Sequence, residues 1–423
     1  MATAWMFRYA DRIGSVKSSR IRELLKITQL PEVISFAGGL PANDVFPIAR
    51  FQEACRKVLE SNSTAALQYG ETEGYAPLRE MIARHISRYG IKAQIENVMI
   101  TSGSQQALDL IGKLFINPCD KVLVEAPTYL GALQAFSSYG AQYVSVPCDK
   151  DGLRTDLLAA PLLRGPKFMY VLPNFQNPGG TTLSEDRRHT LVALADKCGV
   201  PIIEDDPYGQ LRYEGEHLPS LVVIDRENIR RDAAYTLGNV IYLSTFSKTL
   251  APGLRLGWII APPDVISKLV LLKQGTDLHT STFAQVVAYE VARDNFLDEH
   301  VRRLRTVYRE RRDAMLAALE EFFPKEVAWT HPHGGLFLWA TLPEGMDANE
   351  LFSEALKQNV AFVPGDSFFA PNGDDIPRNR FMRLNFSNAS PDRIREGIRR
   401  LSVAVKTQLA RVNSRELQPV LSV

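Results

Sequence analysis

Cysteine is scarce in this 423-residue chain, and the 4 that occur (Cys55, Cys119, Cys148, Cys198) are scattered with no CxxC pair. That excludes a disulfide framework or a cysteine-rich metal centre. It reads instead as small buried hydrophobes in a reducing compartment. No apolar stretch reaches the ~18 residues of a membrane span. The N-terminus, MATAWMFRYADR, has neither an apolar core run nor a small-residue cleavage site, so no secretory signal is expected. Charge is nearly balanced, with 49 Lys and Arg against 48 Asp and Glu, and both signs are spread along the chain. No basic block suggests nucleic acid, and no like-charged tail occurs. Internal repeats and low-complexity tracts are missing. Cytoplasmic location is the default expectation.

What is present is length and alternation. A chain this long exceeds the ~250–300 residues at which one core stops growing, so two domains are expected. Short apolar runs recur at Val98–Thr101, Val122–Glu125, Tyr143–Val146, Phe168–Leu172, Ile202–Glu204, Val240–Ser244 and Trp258–Ala261. Helical stretches such as Gln105–Phe115 and Arg187–Lys197 lie between them. This alternation predicts an α/β domain with a mostly parallel, seven-stranded sheet. Helices are expected over 13–30, 48–60 and 76–89, the first with a stripe of Ile21, Leu24 and Leu25. A long helical pattern from about Phe283 to Phe323 keeps its period at Leu297, Val301, Leu304, Tyr308, Met315 and Leu319. It links to a smaller α+β domain that includes Gly335–Thr341, Ala361–Val363 and Phe381–Phe386. The expected division is an N-terminal segment 1–46 joining the small domain, a large domain 47–295, a small domain 296–411 and a loose tail 412–423.

In such sheets ligands bind beyond the carboxyl ends of the strands, and there the unusual residues collect. After the first run comes Ser102-Gly103-Ser104-Gln105-Gln106 at a helix start, an anion cradle by its free amides and dipole. It is neither a P-loop nor GxGxxG. After the second comes Ala126-Pro127-Thr128-Tyr129, with an aromatic ring. After the fourth comes Asn174-Phe175-Gln176-Asn177-Pro178-Gly179-Gly180. After the fifth comes Asp205-Asp206-Pro207-Tyr208, where a carboxylate at a buried strand end is unusual unless a cation pairs with it. After the sixth come Ser244-Thr245-Phe246-Ser247-Lys248 and then Arg255. A nearby cation and desolvation lower a lysine's pKa, as an amine nucleophile needs. Gly38-Gly39 allows close backbone approach to a ligand. Phosphate cradle, stacking ring, amide, carboxylate, phenol and lysine together match pyridoxal 5′-phosphate (PLP), with Lys248 as the Schiff-base residue and Asp205 on the ring nitrogen. His331 and His333 lack a third ligand nearby and read as structural, so no metal is expected.

At these residues the chain resembles a fold-type-I PLP-dependent aminotransferase of class I/II, and within it the 2-aminoadipate and kynurenine aminotransferase branch. The resemblance runs from Ser18 to about Leu401 through TSGSQQALDL, EAPTYLGALQAF, NFQNPGG, EDDPYGQLRY, STFSKTLAPGLRLGW and FMRLNFS. It implies that Lys248, Asp205 and Tyr129 act at the cofactor, and that Asn177 and Tyr208 bond its phenolic oxygen. By the same likeness Ser104, Gln105, Thr245, Ser247 and Arg255 contact its phosphate. Tyr69 crosses to the partner's phosphate, which implies a homodimer with shared active sites. Arg383 clamps the substrate's α-carboxylate, near Gly39, Asn177 and Tyr69. Arg22, in its Ile21-Arg22 context, stands where that branch carries an arginine on a swinging N-terminal helix. There it can meet a side-chain carboxylate or swing away for apolar substrates; otherwise it is a solvated arginine on a helix's polar face. Thr245 replaces a usual serine, and NPGG departs from the commoner turn. The implied activity is amino transfer from an L-amino acid to a 2-oxo acid such as 2-oxoglutarate. The donor is 2-aminoadipate, aromatic, branched-chain or glutamate-like. A β-elimination on the same fold is the alternative. A regulator with such a domain would need a DNA-binding domain ahead of it, which is not expected here.

Overall fold

A computed structural model describes residues 4–15, 30, 32–229, 238–371 and 376–416. Its centre is a sheet built from β1 (Val98–Thr101), β2 (Lys121–Ala126), β3 (Gln142–Asp149), β4 (Met169–Val171), β5 (Ile202–Asp205), β6 (Val240–Thr245) and β7 (Gly257–Ile260). All seven expected strands form. A two-residue strand, Gly152–Leu153, adds an eighth at the edge beside β3, too short to show as an apolar run. The order is β1-β7-β6-β5-β4-β2-β3 and then Gly152–Leu153. Strands β2 to β6 pair in parallel, while β7 runs antiparallel to both β1 and β6.

The strands read as continuous apolar runs because both sheet faces are covered. The pleat sends Leu123 to one layer and Val122 and Val124 to the other. Burying each such side chain stabilises the fold by about 1.5–3 kcal/mol. From β3 the chain returns to lay β4 on the other side of β2. The loops leaving β2 and β4 therefore diverge and open a crevice at their carboxyl ends.

Helices α1 (Ile48–Ser61), α2 (Ala76–Ser87), α3 (Ser104–Phe115), α4 (Leu130–Ser137), α5 (Glu185–Cys198) and α6 (Pro263–Asp277) surround this sheet. The long pattern expected over 283–323 is two helices, α7 (Thr282–Ala292) and α8 (Phe296–Phe322). Asp294 and Asn295 break it with φ of 60° and 63°. These short polar residues tolerate the left-handed region better than most, and a period count does not see the break. Along α8, Leu297 and Val301 join one layer of the large core, and Leu304 and Tyr308 join the other. Met315 and Leu319 join a separate core, so α8 spans from one unit to the next.

That second core belongs to a four-stranded antiparallel sheet centred on β8 (Phe337–Thr341) and β9 (Phe381–Asn385). Helix α9 (Ala348–Lys357) and the terminal α10 (Pro391–Glu416) pack against it. The N-terminal segment docks here too. Ile34–Ser35 pairs in parallel with Val360–Ala361, and the amide of Phe36 donates to Ala361 O at 2.7 Å. The tail expected from Val412 is corrected in part, because α10 continues to Glu416. Val412 packs against Gly345, where an added Cβ would lie 2.8 Å from its Cγ1. Most of the helix expected over 13–30, with Arg22, lies outside the described residues. Among the described residues no helix is long and apolar enough to cross a membrane.

Candidate active site

Strand β5 ends in Glu204 and Asp205, with Asp206 just beyond it, and the three acids point apart. Glu204 accepts the amides of Leu221 and Val222 at 3.0 Å each. Asp206 accepts from the amide of Gly209 at 2.8 Å and from Asn174 at 3.1 Å. Asp205, only 2% exposed, accepts from the Tyr170 hydroxyl through Oδ2 at 2.7 Å. Its Oδ1 is buried with no partner among the described residues. Burial pushes its carboxyl up to about 7; the Tyr170 bond opposes this and Asp206 adds to it.

Lys248 lies in the turn after β6. Its Nζ donates to the carbonyl of Gly39 at 2.8 Å. Burial first, then the positive charges of Arg383 and Arg255, lower its pKa to about 8. Near neutral pH a real fraction is therefore the free amine.

The anion cradle forms where β1 runs into α3. Gly103, with φ of +76°, caps the helix, and an added Cβ would lie 2.4 Å from Nη2 of Arg255. Only glycine leaves room for that guanidinium over the free first-turn amides. Gly257 lets β7 approach as closely, since a Cβ there would meet the amide of Ser104 at 2.7 Å.

Arg383, on β9, is 3% exposed. It donates to Asn177 Oδ1 and to Ala37 O at 2.7 Å each, and its Nε has no partner among the described residues. The rings of Phe337 and Phe368 flank the guanidinium at 4.3 and 4.8 Å. Burial lowers its pKa to about 10, so it stays charged. Because Asn177 Oδ1 accepts from Arg383, the Asn177 amide nitrogen is left to donate elsewhere. Tyr208 is buried and stands edge-on to Phe337. Tyr129 caps α4, and Gly131 makes room for its ring, 2.6 Å from where a Cβ would be.

The structure thus draws Lys248, Gly39, Arg383 and Asn177 into one linked group. Other expected residues are used differently. Gln105 turns its side chain away and donates to Gly131 O at 2.9 Å, which leaves its backbone amide for an anion. The hydroxyl of Thr245 is taken up inside the loop, bonded to Leu256 O at 2.8 Å and 2.9 Å from Ser247 Oγ. Tyr69 is 78% exposed, on a loop after a short helix. Arg22 is not described. Sequence reasoning missed Tyr170, Phe337 and Phe368, which look like ordinary core residues. A cavity of about 650 Å³ between the two units borders this site from behind Pro127 and Gly180, but its walls include none of Lys248, Asp205 and Arg383.

The donor set fits PLP. An unpartnered buried acid oxygen suits the ring nitrogen, a glycine-floored cradle beneath Arg255 suits the phosphate, and an amine of lowered pKa suits the aldehyde. Fold and site together define a fold-type-I PLP enzyme. The family model for aminotransferase class I and II matches residues 31–401. Aromatic-amino-acid aminotransferase 1 of Thermococcus litoralis is 47% identical over 95% of this chain and 94% of its own length. The 2-aminoadipate transaminase of Thermus thermophilus is 44% identical over 97% and 99%. The crystal structure of α-aminoadipate aminotransferase from Thermus thermophilus, complexed with N-(5′-phosphopyridoxyl)-L-leucine, superposes with a TM-score of 0.88. It shares 42% identity and covers 96% of this chain and 100% of that one. This chain belongs to the class I and II aminotransferase family and is a PLP-dependent aminotransferase.

Proposed function

We propose that this enzyme moves the amino group of a large L-amino acid, 2-aminoadipate or an aromatic one first among them, to 2-oxoglutarate by a ping-pong route. The observation that carries the site assignment is the link between Lys248, Gly39, Arg383 and Asn177 beside the unpartnered oxygen of Asp205. The donor class rests on the relatives named for aromatic amino acids and for 2-aminoadipate.

When bound, PLP supplies an aldehyde carbon and an electron-withdrawing ring. Asp205 Oδ1, buried and unpartnered, would hold the proton on the ring nitrogen. Arg255 and the amides at the start of α3 would hold the phosphate dianion, with Ser104 and Ser247 as further donors. Arg383 grips the substrate's α-carboxylate, and Phe337 and Phe368 keep water from that charge pair. The Lys248 amine would be the base that takes up the proton of the substrate's α-carbon and then the acid that gives it back. Its lowered pKa suits it to take up and release that proton near neutral pH.

We further propose a homodimer with shared sites, in which Tyr69 reaches the partner's phosphate. Its exposure supports this, as do the exposed Trp5, Met6 and Phe7. A cytoplasmic location is in keeping with 4 free cysteines.

The test joins chemistry to specificity. Borohydride reduction of the PLP-loaded protein, followed by peptide mass spectrometry, should place the cofactor mass on Lys248. Single-turnover spectra with 2-aminoadipate, phenylalanine and leucine should rank the donors. Label on another lysine sinks the site assignment; a clear preference for small amino acids sinks the donor class.

A further inference from the structure

Behind the phosphate cradle lies a polar cluster that the chemistry above does not use. Lys273, on α6, is fully buried. Its Nζ donates to Asp277 at 2.7 and 2.9 Å and to Gln106 Oε1 at 2.9 Å. Gln106 Nε2 donates to Asp277 Oδ2 at 2.6 Å. Both groups also hold Ser102, the first residue of the cradle. Its amide donates to Gln106 Oε1 at 2.7 Å, and its hydroxyl to Asp277 Oδ2 at 3.1 Å. The buried Lys273 ammonium needs a partner, and Asp277, still 27% exposed in its side chain, supplies it. The pair fixes the backbone that faces the phosphate.

The cluster continues toward Tyr69. Leu278 follows Asp277 with φ of +63°, a conformation rare for leucine, and turns the chain to His279. His279 Nε2 accepts the amide of Gly70 at 3.3 Å, while its Nδ1 lies 2.9 Å from Thr280 O. The two contacts together require the neutral ring with its proton on Nδ1. The His279 ring meets the Tyr69 ring edge-on at 5.8 Å. Thr280 Oγ1 closes the circuit, 3.3 Å from Ser102 Oγ.

We propose that Asp277, with Lys273 and Gln106, is a positioning group that locks two parts into one unit: the phosphate cradle of one subunit and the Tyr69 arm lent to its partner. This rests on the proposed dimer with shared sites. Each subunit's cradle then sets the arm that completes the other subunit's phosphate site, so cofactor retention depends on both.

Three variants test it in the PLP-loaded dimer: Asp277→Asn, the paired Lys273→Met/Asp277→Leu (which strands no buried charge), and Tyr69→Phe. The readouts are the rate of PLP release into a trapping apoenzyme and the thermal midpoint. Asp277→Asn and the paired variant should each speed release about tenfold or more, the worth of a charged hydrogen bond. Combined with Tyr69→Phe, the effect should fall well short of the product of the separate effects, because all act on one unit. A lowered midpoint with unchanged release, or effects that simply multiply, assigns the cluster to stability alone and overturns the inference. That result leaves amino transfer intact, whereas wild-type protein that takes up no PLP overturns both readings.

Discussion

The hydroxyl of Tyr170 stands 2.7 Å from Oδ2 of Asp205, and that bond decides which carboxylate oxygen is left free. The two residues lie on neighbouring parallel strands, β4 and β5, so sheet register alone brings them together. The bond also favours the ionised acid, opposing the burial that pushes Asp205 up to about 7.

Tyr170→Phe should therefore cripple the enzyme most at lower pH. Without the hydroxyl, Asp205 takes up its proton at a higher pH than in wild type. Activity that needs the ionised acid then fails sooner as pH falls. The acid limb of the kcat/KM profile should move upward, with a loss of about tenfold near neutrality. Asp205→Asn, which keeps the shape but not the charge, should cost roughly 10²-fold or more at every pH. An acid limb that does not move in Tyr170→Phe removes Tyr170 from the site.

The proposed catalytic groups were easier to read in the sequence than the residues packed around them, for a physical reason. Lys248 and Asp205 stand out because each is a charged group placed where an apolar run stops. Tyr170 sits inside such a run and resembles core. Phe337 and Phe368 come from the second unit, and only tertiary packing sets them on the faces of Arg383. The helix at 104–115 was legible from its pattern, but not the roles of its paired glutamines. One residue is about 100° of helix rotation, so Gln105 reaches Gly131 while Gln106 grips Ser102. Breaks such as Asp294 and Asn295 depend on backbone angles that a hydrophobic period does not encode.

Arg383→Lys should separate binding from chemistry. The guanidinium holds Asn177 and Ala37 at once, with the rings of Phe337 and Phe368 4.3 and 4.8 Å away. An ammonium cannot make the forked contact. KM for the amino acid should rise about 10²-fold, with a smaller fall in kcat, in steady-state assays. Equal falls in kcat and kcat/KM would instead place Arg383 in the transition state alone.

Gly103→Ala strikes the cradle directly. The new Cβ would lie 2.4 Å from Nη2 of Arg255, and the backbone sits at φ of +76° and ψ of 167°, a region nearly confined to glycine. Strain of about 1–3 kcal/mol is expected. Arg255 must also move away from the proposed phosphate position. PLP affinity should fall by more than the thermal midpoint explains, as seen by titrating the apoprotein with PLP. Wild-type affinity in a folded Gly103→Ala protein would show that the phosphate binds elsewhere.

Glu125, on β2, gives a stability prediction that the cofactor does not touch. It is 3% exposed and accepts the amide of Leu172 at 2.9 Å. Burial pushes its carboxyl from the usual 4.5 up to about 8, against the hydrogen bonds from Leu172 and Gln176. The folded chain therefore keeps a proton on Glu125 over a range where the unfolded chain has lost it. Between these values the native state binds more protons, so raising the pH favours unfolding. The stabilisation is fully present below about 4.5 and is lost as pH rises through about 8. The total is roughly 3–5 kcal/mol by linkage, an upper figure for a group with hydrogen bonds of its own. Glu125→Gln mimics the protonated acid and can still accept from Leu172. Its urea midpoint should match wild type near about pH 5 and exceed it near about pH 8.5. Glu204 and Asp205, both raised to about 7, push the same way and leave the variant some residual slope. Parallel curves for the two proteins across this range would mean that Glu125 is ionised in the fold and that a bound cation or water compensates its charge.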